Sequence, residues 1–99
     1  MFVTVYTYRA RAGEEDAIIA LHEDWQRNLR PKAEGYLSGE LLHDIQNLRV
    51  FVAIARYESE AAAQAVAEDP EQIAWQRRLV SLAEAEPVCA SYQSAWQAD

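Results

Sequence analysis

Cysteine occurs once in this 99-residue chain, at Cys89, so no internal disulfide can form, and a lone thiol fits a reducing compartment. Cys89 stands in an expected final strand with no histidine or base cluster beside it. It reads as a small buried apolar residue, with a reactive thiol as the sharper alternative. Glycine and proline occur three times each. Glycines this dispersed cannot form a phosphate-cradling loop, so no nucleotide cofactor is expected, and no linker, repeat or low-complexity segment is visible. His22 and His43 are far apart, and His22-Glu23-Asp24 lacks the second histidine that a helical zinc site would need, so no metal is expected. Serine and cysteine nucleophile motifs are absent. No stretch approaches the ~20 apolar residues of a membrane span. Residues 1–9 lack the basic segment and long apolar run of a signal peptide, which leads to the expectation of a soluble, cytoplasmic protein. Bases are scarce too: nine Lys and Arg against sixteen Asp and Glu leave a formal net charge of −7, a field that repels nucleic acid and anionic membrane surfaces.

What is present is an apolar content of 51%, much of it alanine, in a chain long enough for one domain over residues 1–99. A chain of this size buries only about two-thirds of the surface its unfolded form exposes, so the core is thin and a partner subunit could cover what it leaves open.

Residues 2–9 alternate β-formers with the period of a strand. Beyond Gly13, Glu14, Glu15 and Asp16 crowd a first helical turn, where the helix dipole favours negative charge, and Arg27 and Arg30 fall near the end. Ile18, Leu21, Trp25 and Leu29 follow at helical spacing. Pro31 stops this helix, and Gly35 opens a strand over residues 36–43, in which Gly39 suggests a bulge or a close backbone approach. The strand over residues 49–57 has Val50, Val52 and Ile54 on one side and Phe51, Ala53, Ala55 and Tyr57 on the other. Apolar on both faces, it needs cover on both. Helices can cover one, and a second copy of the chain, docked through the sheet, is the simplest cover for the other. Ser59 is a plausible N-cap for a helix through Ala67, and Asp69-Pro70 with Gln72 reads as a second helix start. That second helix carries Trp75, Leu79, Leu82 and Glu86 on one face and is expected to run to Pro87. Residues 88–96 form the expected last strand. The order strand, helix, strand, strand, helix, strand predicts an α+β ferredoxin-like βαββαβ domain with a four-stranded antiparallel sheet.

Several pieces carry a family likeness: Gly13 before an acidic helix start, Pro31 with Gly35-Tyr36-Leu37-Ser38-Gly39-Glu40-Leu41, the strand ending Ala55-Arg56-Tyr57-Glu58-Ser59-Glu60, and Asp69-Pro70 leading into a helix. Together they resemble the antibiotic biosynthesis monooxygenase (ABM) family of dimeric α+β barrel proteins. The resemblance implies a homodimer with sheets paired into a barrel, helices outside, and a pocket between sheet and helices in each subunit. It implies cofactor-free oxidation of phenols or quinols by O₂, or, in another branch, haem degradation. The polyketide-oxidising branch surrounds its substrate with an Asn on the third strand, a Trp at its end and a Tyr on the following helix; the matching positions here hold Ala53, Tyr57 and Ala63, so of that set only the strand-end aromatic is kept, as Tyr57. The haem-degrading branch uses an Asn, a Trp and a His, where this chain has Tyr6, Val66 and Gln76, so haem degradation of that type is not expected.

The candidate catalytic residues are His22 and Tyr57. His22 lies between Leu21 and Trp25, near the edge of the apolar stripe. Its ordinary pKa of about 6.5 would suit a general base acting on a phenol, although a half-exposed helical histidine is the commoner reading. Tyr6, Trp25, Phe51, Ala53, Ala63 and Trp75 are the candidate lining for a flat aromatic ligand, set against the ordinary use of such aromatics as core. Arg77 and Arg78 read as a solvated helix face, and Tyr92 and Trp96 as residues that could anchor an interface. The expected function is a cofactor-independent monooxygenase acting on a small electron-rich aromatic or quinol. The alternative is a non-catalytic dimeric ligand-binding or interaction module of the same fold.

Overall fold

The computed structural model describes residues 1–98. In chain order it contains β1 (Phe2–Arg9), α1 (Glu15–Asn28), a 3₁₀ turn (Arg30–Lys32), β2 (Tyr36–His43), β3 (Val50–Tyr57), α2 (Glu60–Glu68), α3 (Pro70–Leu82) and β4 (Val88–Gln93). The strands form one antiparallel sheet in the order β2-β3-β1-β4. This is the expected α+β ferredoxin-like architecture.

Local chemistry sets most boundaries. Glu15 and Asp16 sit in the first turn of α1 and Arg27 in its last, each complementing the helix dipole. Pro31 then confines the chain to a single 3₁₀ turn. Ser59 caps α2 by accepting from the Ala62 N–H, and Asp69 caps α3 by accepting from the Glu71 N–H, with Pro70 at its first position. The two helices are thus separate pieces, as the paired start signals predicted. Gly35 takes φ +83°, and an added Cβ would stand 2.6 Å from the Ala62 Cβ, so glycine is needed there for conformation and for space. The irregularity in β2 falls between Tyr36 and Ser38, and Gly39 supplies the close approach: a Cβ on it would collide with the Tyr36 hydroxyl.

The register places Phe2, Tyr6 and Tyr8 of β1 opposite Tyr57, Ala53 and Phe51 of β3, on the face the helices cover. Ile18, Phe51 and Leu79 are essentially sealed, each contributing about 2 kcal/mol of apolar burial, and Leu21, Trp25, Val66 and Trp75 join them. The alternate residues, including Val3, Val5, Val52 and Ile54, face away from the helices, and among the described residues no element covers them.

Three expectations are corrected. The last helix ends at Leu82 rather than Pro87, because Ala83 turns to extended backbone and bridges Ala10, pulling the chain back toward β1. Glu86 therefore lies beyond the helical face assigned to it. The last strand ends at Gln93, so Trp96 lies outside it and is 83% exposed. Cys89 is exposed rather than buried: it sits on edge strand β4, while α2 packs on β1 and β3. Among the described residues no helix is long and apolar enough to cross a membrane.

Candidate functional site

A cavity of about 480 Å³ opens between the sheet and the helices, within the size range of sites for small organic ligands. β1 contributes Tyr6 to its wall, α1 His22, Trp25 and Gln26, β2 Tyr36, β3 Ala53 and Tyr57, α2 Ala63 and Val66, and α3 Gln72, Trp75 and Gln76. Seven of the eight residues expected at the site therefore line one space. The eighth, Phe51, does not. It is 1% exposed and stacks on Tyr8 and His43, so its burial is purely structural.

The two indoles are held by their N–H groups. Trp75 Nε1 donates to the Leu21 carbonyl at 2.9 Å, and Trp25 Nε1 donates to Gln72 Oε1 at 2.6 Å, tying α3 to α1 across the cavity wall. Tyr36 packs against both Trp25 and Tyr57, with ring centroids 4.8 and 5.7 Å apart. Gln26 Nε2 donates to the Tyr36 hydroxyl, and the Arg30 guanidinium lies 5.2 Å from the centre of its ring. The rings of Trp25, Trp75 and Tyr36 are thus held in place by contacts within the protein. Small floors at Ala53 and Ala63 leave the space between them.

His22 meets the Tyr8 hydroxyl through Nε2 at 2.7 Å and presents its ring edge-on to Trp75, with centroids 5.0 Å apart. Burial lowers its pKa to about 4. The imidazole is therefore neutral at pH 7, free to accept a proton but a much weaker base than its ordinary value would make it. Burial pushes the Tyr8 phenol well above its ordinary range. The phenols of Tyr6 and Tyr57 rise to about 12, each chiefly through burial, with the Cys89 thiol adding to the first and Tyr36 to the second. At neutral pH every one of these hydroxyls remains a hydrogen-bond donor. The site is apolar, uncharged at its centre and lined by neutral hydrogen-bond donors, so burial disfavours a charge of either sign there and only those donors could offset the cost for an oxyanion. Among the described residues no cluster of three or more His, Cys, Asp or Glu could hold a metal ion.

Sequence reasoning missed Tyr8, Tyr36, Gln26, Gln72 and Gln76. Tyr36 was visible as part of the Gly35–Leu41 motif, but nothing in the local pattern marks it as a wall. Tyr8 differs from Tyr6 only by one strand period, and its link to His22 exists only once α1 crosses β1.

Residues 1–78 match the antibiotic biosynthesis monooxygenase family. Comparison with curated proteins returned no match. Solved structures match over nearly the full length. A protein from Mycobacterium tuberculosis superposes with a TM-score of 0.83 at 16% identity, covering 99% of this chain and 98% of its own. A candidate antibiotic biosynthesis monooxygenase from Deinococcus radiodurans gives 0.83 at 15% identity, covering 100% and 97%. An asparagine-to-alanine variant of SnoaB, a cofactor-independent oxygenase from Streptomyces nogalater, gives 0.79 at 14% identity, covering 97% and 94%. At these identities the structural likeness establishes the fold. With the family match extending from β1 into α3, the chain belongs to the antibiotic biosynthesis monooxygenase family.

Proposed function

We propose that this protein is a cytoplasmic, cofactor-independent monooxygenase that oxidises a small electron-rich aromatic or quinol with O₂, working as a homodimer joined through its sheets. The observation that carries the reading is the cavity of about 480 Å³, walled by the aromatic rings of Trp25, Tyr36, Tyr57 and Trp75, which a planar ring could stack on. Family membership and the fold shared with the oxygenase SnoaB support it. The uncovered apolar face containing Val3, Val5, Val52 and Ile54, with exposed Tyr92 at its side, supports the dimer.

The chemistry is clearest for an activated ring CH₂ beside a phenol or ketone. The ionised substrate transfers one electron to O₂, the carbon radical and superoxide combine to form a C–O bond, and the peroxide takes up a proton. Loss of the second C–H proton with cleavage of the O–O bond then releases water, so that R₂CH₂ + O₂ becomes R₂C=O + H₂O. The protein's part is to hold the ring, exclude water and stabilise the substrate oxyanion with His22 and the Tyr57 phenol, its two catalytic groups. Because His22 is neutral above about pH 5, keeping a single N–H, ionisation of the substrate itself sets the pH dependence.

A second reading, a binding module without turnover, is favoured by one observation. The floor residues Ala53 and Ala63 carry no group that can relay a proton. Titration with an anthrone, followed by tryptophan fluorescence and an oxygen electrode, separates the two. Saturable quenching with O₂ uptake that rises through the pKa of each anthrone tested is expected. Quenching without uptake would establish the binding module, and no quenching across a panel of planar aromatics would remove the ligand site altogether.

A further inference from the structure

Tyr8 does not line the cavity, yet its hydroxyl meets His22 at 2.7 Å, and that contact decides what His22 can offer a ligand. Tyr8 is 4% exposed, and His22 Nε2 is the one hydrogen-bond partner its hydroxyl has among the described residues. Two arrangements fit the distance. If Nε2–H donated to the phenol oxygen, the buried Tyr8 O–H would be left without an acceptor, at a cost comparable to a lost hydrogen bond. If instead Tyr8 O–H donates to Nε2, both groups are satisfied and the imidazole proton resides on Nδ1. Nδ1 has no protein partner and is not sealed from solvent, and His22 lines the cavity. The ring cannot swing away easily, because it stands edge-on against Trp75, itself pinned by the Leu21 carbonyl.

We propose that Tyr8 is a positioning residue that locks neutral His22 as the Nδ1–H tautomer, so that the cavity presents an N–H donor and selects an aromatic ligand bearing an oxyanion. This deepens the function proposed above, which it rests on for the oxyanionic substrate, by naming the donor that meets the oxygen, His22 Nδ1–H, and the residue that sets it, Tyr8. It also reverses the direction of the hydrogen bond expected of a general base: His22 donates to the substrate oxygen, and accepts only from Tyr8.

Long-range ¹H–¹⁵N correlation on uniformly labelled protein at pH 7 reads the tautomer without any turnover, and so tests this inference separately from the monooxygenase reading. His22 is expected with a protonated, pyrrole-type Nδ1 and a pyridine-type Nε2. Tyr8→Phe should move it toward the tautomer mixture of a free imidazole. In the same pair of proteins, 4-nitrophenol above its own pKa should bind the variant about ten-fold more weakly, the effect of a misdirected charge-assisted hydrogen bond, while nitrobenzene should change by less than about two-fold. An Nε2–H tautomer in the unaltered protein would overturn the proposal even if Tyr8→Phe failed to fold. Equal weakening of both ligands would reduce Tyr8 to a packing residue and overturn it as well.

Discussion

Tyr36 lays its hydroxyl directly over Gly39, three residues further along the same strand, where any Cβ would collide with the phenol oxygen. The bulge between Tyr36 and Ser38 is what makes this crossing possible, and it turns the Tyr36 ring toward Trp25 and Tyr57. A glycine in β2 is thus part of the cavity wall, although it contributes no side chain.

Gly39→Ala should therefore displace the Tyr36 ring, break its hydrogen bond with Gln26 and cost about 1–3 kcal/mol of stability, the usual range for forced overpacking. Urea denaturation measures the cost. A variant as stable as the parent would show that Tyr36 can move aside freely.

Protonation of His22 should make the fold acid-sensitive. Its folded pKa, about 4, lies below the ordinary 6.5, so above pH 6.5 the imidazole is neutral in both states and folding is unaffected. As pH falls through 6.5 toward 4 the unfolded chain takes up the proton first, and stability drops by at most about 3 kcal/mol. Urea midpoints at several pH values in this window should fall more steeply for the parent than for His22→Gln, which cannot titrate. Parallel slopes would show that His22 is solvated.

The homodimer should sediment at about twice the 11.2 kDa chain mass at micromolar concentration. Val52 faces away from the helices between Thr7 and Leu42, so Val52→Asp should yield monomers without disturbing the helix-covered core. A parent protein that stays monomeric would refute docking through the sheet.

Removing the carboxylate that starts α3 should loosen the wall carried on that helix. Asp69→Ala loses the bond from the Glu71 N–H and should cost about 1 kcal/mol. Because Gln72 and Trp75 lie in the first turns of α3, the tryptophan emission should shift along with the thermal midpoint. An unchanged midpoint would mean that packing alone positions the helix.

The sequence by itself determined the element order, the two strand faces, the caps at Ser59 and Asp69 and the stop at Pro31. Each is a short-range matter of period, dipole or φ restriction, written within a few residues. It also put His22 and Trp25 about one turn apart on the same helix, whereas their meeting with Tyr57 and Trp75 depends on how α1, β3 and α3 pack. Tertiary structure alone decided the rest. Phe51 and Ala53 share a face of β3, but only the packing around Tyr8 and His43 seals Phe51 away from the cavity. Cys89 has the neighbours of a buried residue and is exposed because β4 is an edge. The helix that Pro87 was expected to end stops at Leu82 because Ala83 pairs with Ala10 from the other end of the chain. Most consequential, the chemistry of His22 rests on a hydroxyl fourteen residues away and on burial beneath α3, and neither a distant partner nor a local dielectric is encoded in the residues beside it.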